Sequence, residues 1–156
     1  MKTQDMDNNV AGWQPTRKEL SEFLVEQPLC VVSTLDQSGA PQSATVAFSE
    51  TKDGQFIIGT SETSRKSQNI DSDSRVAMNV TDSEKRYTVQ LGGLARKLSS
   101  EEFAGYADIH YDQLPASRPF KDQPGQVQIL IQPTYIRFSD CSTYPWVLTE
   151  FNYDKV

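Results

Sequence analysis

Histidine is almost missing from this chain, which carries one, His110, and cysteine is scarce, with only Cys30 and Cys141. A structural zinc site needs four such ligands at short spacing, so a zinc finger or ribbon is excluded. No G-x-S-x-G elbow, phosphate-binding P-loop or dinucleotide-binding G-x-G-x-x-G is present, which removes the ordinary hydrolase, NTPase and Rossmann readings. There is no run of eighteen apolar residues to make a membrane-spanning helix. The opening, MKTQDMDNNVAGWQPTRKEL, lacks the apolar stretch of a secretory signal. The expected location is therefore the cytoplasm, with both cysteines as free thiols. Basic residues are also in deficit, 15 against 21 acidic ones, a net charge of −6. That balance argues against sequence-independent binding to nucleic acid or anionic membrane. At 156 residues, the chain has room for one buried core.

What is there is period. Residues 1–14 are polar and aperiodic and are expected to form a flexible lead-in, with residues 15–156 as a single domain. Thr16-Arg17-Lys18-Glu19 has the form of a capping box, and Leu20, Phe23 and Leu24 follow as one helical stripe that Pro28 should end. The period then switches to two. LCVVST (29–34), QSATVAF (42–48) and QFIIGT (55–60) read as strands joined by Asp36–Pro41 and Lys52-Asp53-Gly54 turns, an antiparallel meander. VAMNVT (76–81) and YTVQLGGLARKL (87–98) continue it, and the Gly92-Gly93 pair suggests a bulge where a sheet curls. A short helix is expected over Ser64–Ile70 and another after the Ser99–Glu102 capping box. VQILI (127–131) is the most apolar strand, and Tyr135–Phe138 offers one more. The residues thus predict a mainly β protein, a barrel with helical additions.

One segment carries candidate chemistry. At GTSETSRKS (59–67) a strand ends, hydroxyls crowd a loop, and two cations open a helix. A phosphate dianion wants that environment, although by spacing alone a solvated loop is the more ordinary use of it. His110 lies near a predicted helix end, where it fits the helix dipole better than catalysis. Asp71 and Asp73 read as turn residues rather than metal ligands. Tyr144 and Trp146 read as a C-terminal packing plug, with a stacking surface as the other use. No metal site and no catalytic residue follows from these patterns.

Three stretches, VVSTLDQSGAPQSATVAF, GQFIIGTSETSRKSQNIDSDSRVAMNV and YTVQLGGLARKLSSEEF, resemble the pyridoxamine 5′-phosphate oxidase-like, FMN-binding split-barrel superfamily. The likeness runs from about Leu29 to Phe103 and continues through VQILIQPTYIRFSD. It implies an antiparallel, Greek-key-like six-stranded barrel with two to three short helices, and FMN as cofactor. By position, Arg65 and Lys66 would clasp the FMN phosphate, with Thr60, Ser64 and Ser67 as hydroxyl donors beside Gly59. The strand containing Thr45 and Val46 would run under the isoalloxazine ring and offer backbone groups. Thr88, or Gln90 two residues on, stands where the family often has a flavin-contacting glutamine. The resemblance also implies a homodimer with each flavin at the interface.

Two departures stand out. The second strand, QSATVAFS, is neutral where the vitamin B6 oxidase carries basic residues, and STYPWVLTEFNYDKV has no counterpart of that enzyme's C-terminal substrate-binding arginine and histidine. The expectation is an FMN flavoprotein passing electrons or hydride through FMN N5 to a small substrate, but not the B6 oxidase. The alternatives are a non-catalytic flavin- or haem-binding dimer, a deazaflavin-dependent reductase, and a dimer that has lost its cofactor. A dimer is also suggested by the residues themselves, because QFIIGT and VQILI carry no charge on either face. The lesser alternative is enclosure of both faces within one closed core, beneath the helices.

Overall fold

Thr16 opens the first helix as its spacing predicts. In the computed structural model, which describes residues 11–153, its hydroxyl accepts from the Glu19 amide while the Glu19 carboxylate accepts from the Thr16 amide. The helix, α1 (Arg17–Val25), buries Leu20, Phe23 and Leu24. Six strands follow: β1 (Leu29–Leu35), β2 (Pro41–Glu50), β3 (Phe56–Ser61), β4 (Arg75–Asp82), β5 (Tyr87–Lys97) and β6 (Gln126–Asp140). All pair antiparallel in the order β3-β2-β1-β4-β5-β6, and β6 returns to β3 to close the barrel. The crossover from β3 to β4 runs through α2 (Arg65–Ser72), and this gives the Greek-key character. Along β1, Cys30, Val32 and Thr34 point inward and Leu29 and Val31 outward, the alternation a half-buried strand demands.

The glycine pair sits at a bulge, but the extra residue is on the opposite strand. Gly92 faces Tyr135 and Gly93 faces Pro133, so Thr134 is the unpaired residue. Its insertion flips the parity of β6, with Ile129 and Ile131 inside before it and Ile136 and Phe138 inside after it. One strand of 15 residues can therefore line the core along its whole length. A side chain at Gly93 would bring Cβ within 2.5 Å of the Gln132 carbonyl oxygen, so this close approach requires glycine.

Several elements depart from the sequence reading. The two short strands expected over 127–138 are one. A seventh strand, β7 (Val147–Asn152), pairs with β6 outside the barrel. The region after Ser99 forms two helices, α3 (Ser100–Ala104) and α4 (Ala107–Gln113), then a 3₁₀ turn over Pro115–Phe120. Trp13, assigned to a flexible lead-in, is packed: its ring lies 5.0 Å from that of Phe138 and 5.3 Å from that of Tyr87, and its amide donates to Asp140 Oδ2 at 2.8 Å. Residues 1–10 of that lead-in lie outside the described residues. Trp146 is no packing plug, since it and Tyr144 are largely exposed on the β6–β7 turn.

The uncharged strands also find an internal solution. Ile57 and Leu130, on the outward side of β3 and β6, are buried with Leu98, Phe103 and Tyr111 in a second core beneath α3 and α4. These two positions therefore require no partner chain.

Candidate functional site at the split of the barrel

β2 and β3 pair only through Phe48–Ile58, Ser49–Ile57 and Glu50–Phe56. Beyond that point they part. β2 continues from Ala47 back to Pro41 bonded to β1 alone, and β3 continues through Gly59, Thr60 and Ser61 bonded to β6 alone. Backbone groups of β2 that face away from β1 thus have no strand partner among the described residues, and such groups seek hydrogen bonds.

The turn after β3 delivers the hydroxyl and cation cluster to this opening. Ser64 caps α2, its hydroxyl accepting from the Ser67 amide at 3.3 Å. Thr60 donates its hydroxyl to Ser64 Oγ at 3.0 Å, and Lys66 Nζ donates to Thr60 Oγ1 at 3.1 Å. Ser67 is fully buried and its Oγ has no hydrogen-bond partner. Arg65 is exposed, and it forms no ion pair among the described residues. With Lys66 it walls a cavity of about 150 Å³ against Thr34, Gln42 and Ala44. Asn69 braces the helix against the barrel, its side-chain amide donating to Thr34 Oγ1 at 2.9 Å and to Gln42 Oε1 at 3.1 Å.

Of the residues singled out by the sequence, Gly59, Thr60, Ser64, Arg65, Lys66 and Ser67 gather at the split. Thr45 and Val46 lie on the unpartnered stretch of β2, with Thr45 outward and Val46 packed against the core. Thr88 and Gln90 do not join them. They lie on the outer face of β5, and Thr45, Val31, Asn79 and Gln90 are successive cross-strand neighbours. Three strand spacings separate Gln90 from Thr45, roughly 14 Å. Thr88 accepts from Asn79 Nδ2 at 3.1 Å, while Gln90 is exposed.

His110 departs most from its sequence reading. It is buried to 3% exposure, its Nδ1 within 2.7 Å of Ser49 Oγ, and burial pushes its pKa down to about 4. An uncharged imidazole cannot serve the helix dipole as a cation. Beside it, Gln113 clamps the end of β2, donating to the Glu50 carbonyl at 2.8 Å and accepting from the Glu50 amide at 2.9 Å. Neither Ser49 nor Gln113 carries a local signal, because their partners lie more than sixty positions away. Asn69 is one of three buried positions in the helix read from SRKSQNI, with Ser67 and Ile70.

Among the described residues, no group of three or more His, Cys, Asp or Glu is placed to hold a metal, and no helix is long and apolar enough to cross a membrane.

The split, the capped helix behind it and the closed six-strand barrel together define a split barrel. A family model described as pyridoxamine 5′-phosphate oxidase matches residues 16–140, and the chain belongs to that family. A comparison with curated protein sequences gives no match. Among solved structures, the chain resembles a heme-binding protein from Mycobacterium smegmatis (TM-score 0.73, 17% identity, covering 90% of this chain). It spans only 59% of that protein's length. A pyridoxamine 5′-phosphate oxidase-related, FMN-binding protein from Nostoc punctiforme superposes with TM-score 0.62 at 13% identity, covering 92% of this chain and 98% of the other. An F420 reductase superposes with TM-score 0.56 at 22% identity, covering 74% and 94%.

Proposed function

We propose that this chain is an FMN-binding flavoprotein of the oxidoreductase type. The observation that carries the reading is the meeting, at one opening of the barrel, of a phosphate-type cluster on α2 with an unpartnered strand edge on β2. A terminal phosphate would be held by Arg65 and Lys66, with Ser64 donating the hydroxyl hydrogen that Thr60 and the Ser67 amide leave free, Thr60 orienting it, and the α2 amides behind them. Ser67 Oγ, buried without a partner, is the kind of group that a bound ligand or water satisfies. Backbone groups of Thr45 and Val46 would pair with the polar edge of the flavin ring. FMN, when bound, supplies hydride and single-electron transfer, and the protein supplies position and electrostatics. One compact cationic pair suits a mononucleotide better than a dinucleotide.

Haem is less well served. The sole histidine opens only onto a cavity of about 140 Å³, too small for a haem macrocycle, and Cys30 is buried with its thiol pushed up to about 12.

Arg65→Ala should weaken FMN binding about ten- to a hundredfold, the loss of a charge-assisted phosphate contact worth roughly 1.5–3 kcal/mol. The apo-protein's melting temperature should stay nearly constant, because Arg65 is exposed. Fluorescence titration with FMN reads the affinity, and mass analysis of any chromophore released by heat identifies the native cofactor. Equal affinity in variant and parent, or a colourless protein that takes up no FMN, would end the reading.

We also propose a homodimer. Its support is the outer face of β2, β1, β4 and β5, since the outward side chains Ile57 and Leu130 of the uncharged strands are covered within the chain. There Leu29, Val31, Ser33, Ser43, Thr45, Ala77, Asn79, Gln90 and Gly92 form a continuous surface without charge. Leu29 and Val31 remain 52% and 39% exposed. A twofold pairing of this face would carry Gln90 of one copy toward Thr45 of the other, which is how a residue too distant within one chain could join the site. Light scattering on the size-exclusion peak should give about twice 17.5 kDa. A monomer that still binds FMN tightly would defeat the shared site.

A further inference from the structure

A second cavity opens on the other side of the split. It measures about 140 Å³, and its walls include Ala47 and Gly59, the two residues at which β2 and β3 part, together with His110, Tyr111, Phe120 and Gln128. No formally charged side chain lines it. The Arg118 guanidinium lies over the Tyr111 ring at 5.6 Å and pairs with Asp112 at 3.5 Å. A Cβ at Gly59 would meet nothing within 4 Å, so real space stands above that residue. Phe120 is 60% exposed, an apolar ring left uncovered beside the cavity.

His110 is held by its neighbours in a fixed orientation. Its Nδ1 is engaged by Ser49, and its ring is flanked by Phe103 and Tyr111 at centroid distances of 5.5 and 5.1 Å. Nε2 has no hydrogen-bond partner in the chain among the described residues. A neutral imidazole fixed in this way offers either a donor or an acceptor at Nε2, according to the tautomer Ser49 selects. The Gln128 side chain offers both. A carboxamide also presents both, side by side, whereas a carboxylate presents acceptors only and would be buried without a counter-charge.

We propose that this cavity is a binding subsite for an uncharged, planar compound bearing a carboxamide or an equivalent donor–acceptor pair. His110 Nε2 and Gln128 would recognise the polar group, and Tyr111 and Phe120 would cover the apolar body. The inference deepens the flavin reading by naming a substrate class, since the cavity opens at Ala47 and Gly59, but its test needs no flavin.

The chain's single histidine makes that test direct, because imidazole signals in a nitrogen–proton NMR spectrum can come only from His110. Benzamide is the probe and benzoate its charged counterpart. Benzamide should shift the His110 signals saturably, with a dissociation constant on the order of 1 mM for so small a ligand. Benzoate should bind at least tenfold more weakly. Gly59→Phe should fill the cavity and abolish the shift, while Arg65→Ala leaves it unchanged. No shift at about tenfold higher benzamide overturns the subsite, as does an unchanged shift in a folded Gly59→Phe protein. Equal binding of benzoate overturns the neutral class. If benzamide binds and FMN does not, the subsite stands and the flavin reading falls.

Discussion

Phe138→Ala should destabilise the protein by about 3–5 kcal/mol, a large part of the total stability of a domain of this size. Phe138 is fully buried and anchors an aromatic cluster with ring centroids 5.0 Å from Trp13, 5.2 Å from Tyr87 and 6.2 Å from Phe23. Truncation removes its own transfer free energy and leaves a void that three large, mutually wedged rings cannot readily fill. The cluster joins β5, β6, α1 and the segment before α1, so its loss should loosen Trp13 as well. Urea unfolding followed by tryptophan fluorescence would measure the change. Leu148→Ala, at an exposed position of β7, is the control and should cost far less. A Phe138→Ala loss below about 1 kcal/mol would contradict the packing described.

Acidification should weaken the fold well before the carboxylates titrate, and His110 is the reason. Unfolded, a histidine binds its proton near pH 6.5, whereas in the fold burial pushes His110 down to about 4. Between those values the unfolded chain binds more protons, so stability rises with pH and is lost as pH falls. The effect is absent above about pH 7.5, reaches about 2 kcal/mol at pH 5, and levels off near 3 kcal/mol below pH 4. His110→Gln keeps a polar partner for Ser49 but has no proton to bind. Its stability should therefore be flat from pH 7.5 to 5, where the parent declines. As the chain has no other histidine, parallel profiles would show that the imidazole is protonated in the folded state.

How much of this could be read beforehand follows from the range of each signal. The capping boxes at Thr16 and Ser99, the turn at Lys52-Asp53-Gly54 and the alternation of LCVVST are interactions within a few residues. The local pattern specifies them, and the structure keeps them. The phosphate-type cluster belongs with these, since Thr60, Ser64 and Lys66 meet across one turn of chain. The bulge was legible as a glycine pair, but which strand carries the extra residue depends on the partner, and that lies some forty positions away.

Pairings between distant segments decided everything else. Closure of β3 on β6, and the parting of β2 from β3 that opens the site, are registers between strands, and hydrophobic period alone carries no register. Trp13 looked like lead-in because nothing near it in sequence is periodic, and only the barrel end supplies Tyr87 and Phe138 to receive it. QFIIGT and VQILI determined by themselves that both of their faces must be covered. That α3 and α4 of the same chain would do the covering, and would trap a neutral His110 against Ser49, was a matter of tertiary packing. An apolar face states that it must be buried, but the burial free energy is much the same whichever surface covers it.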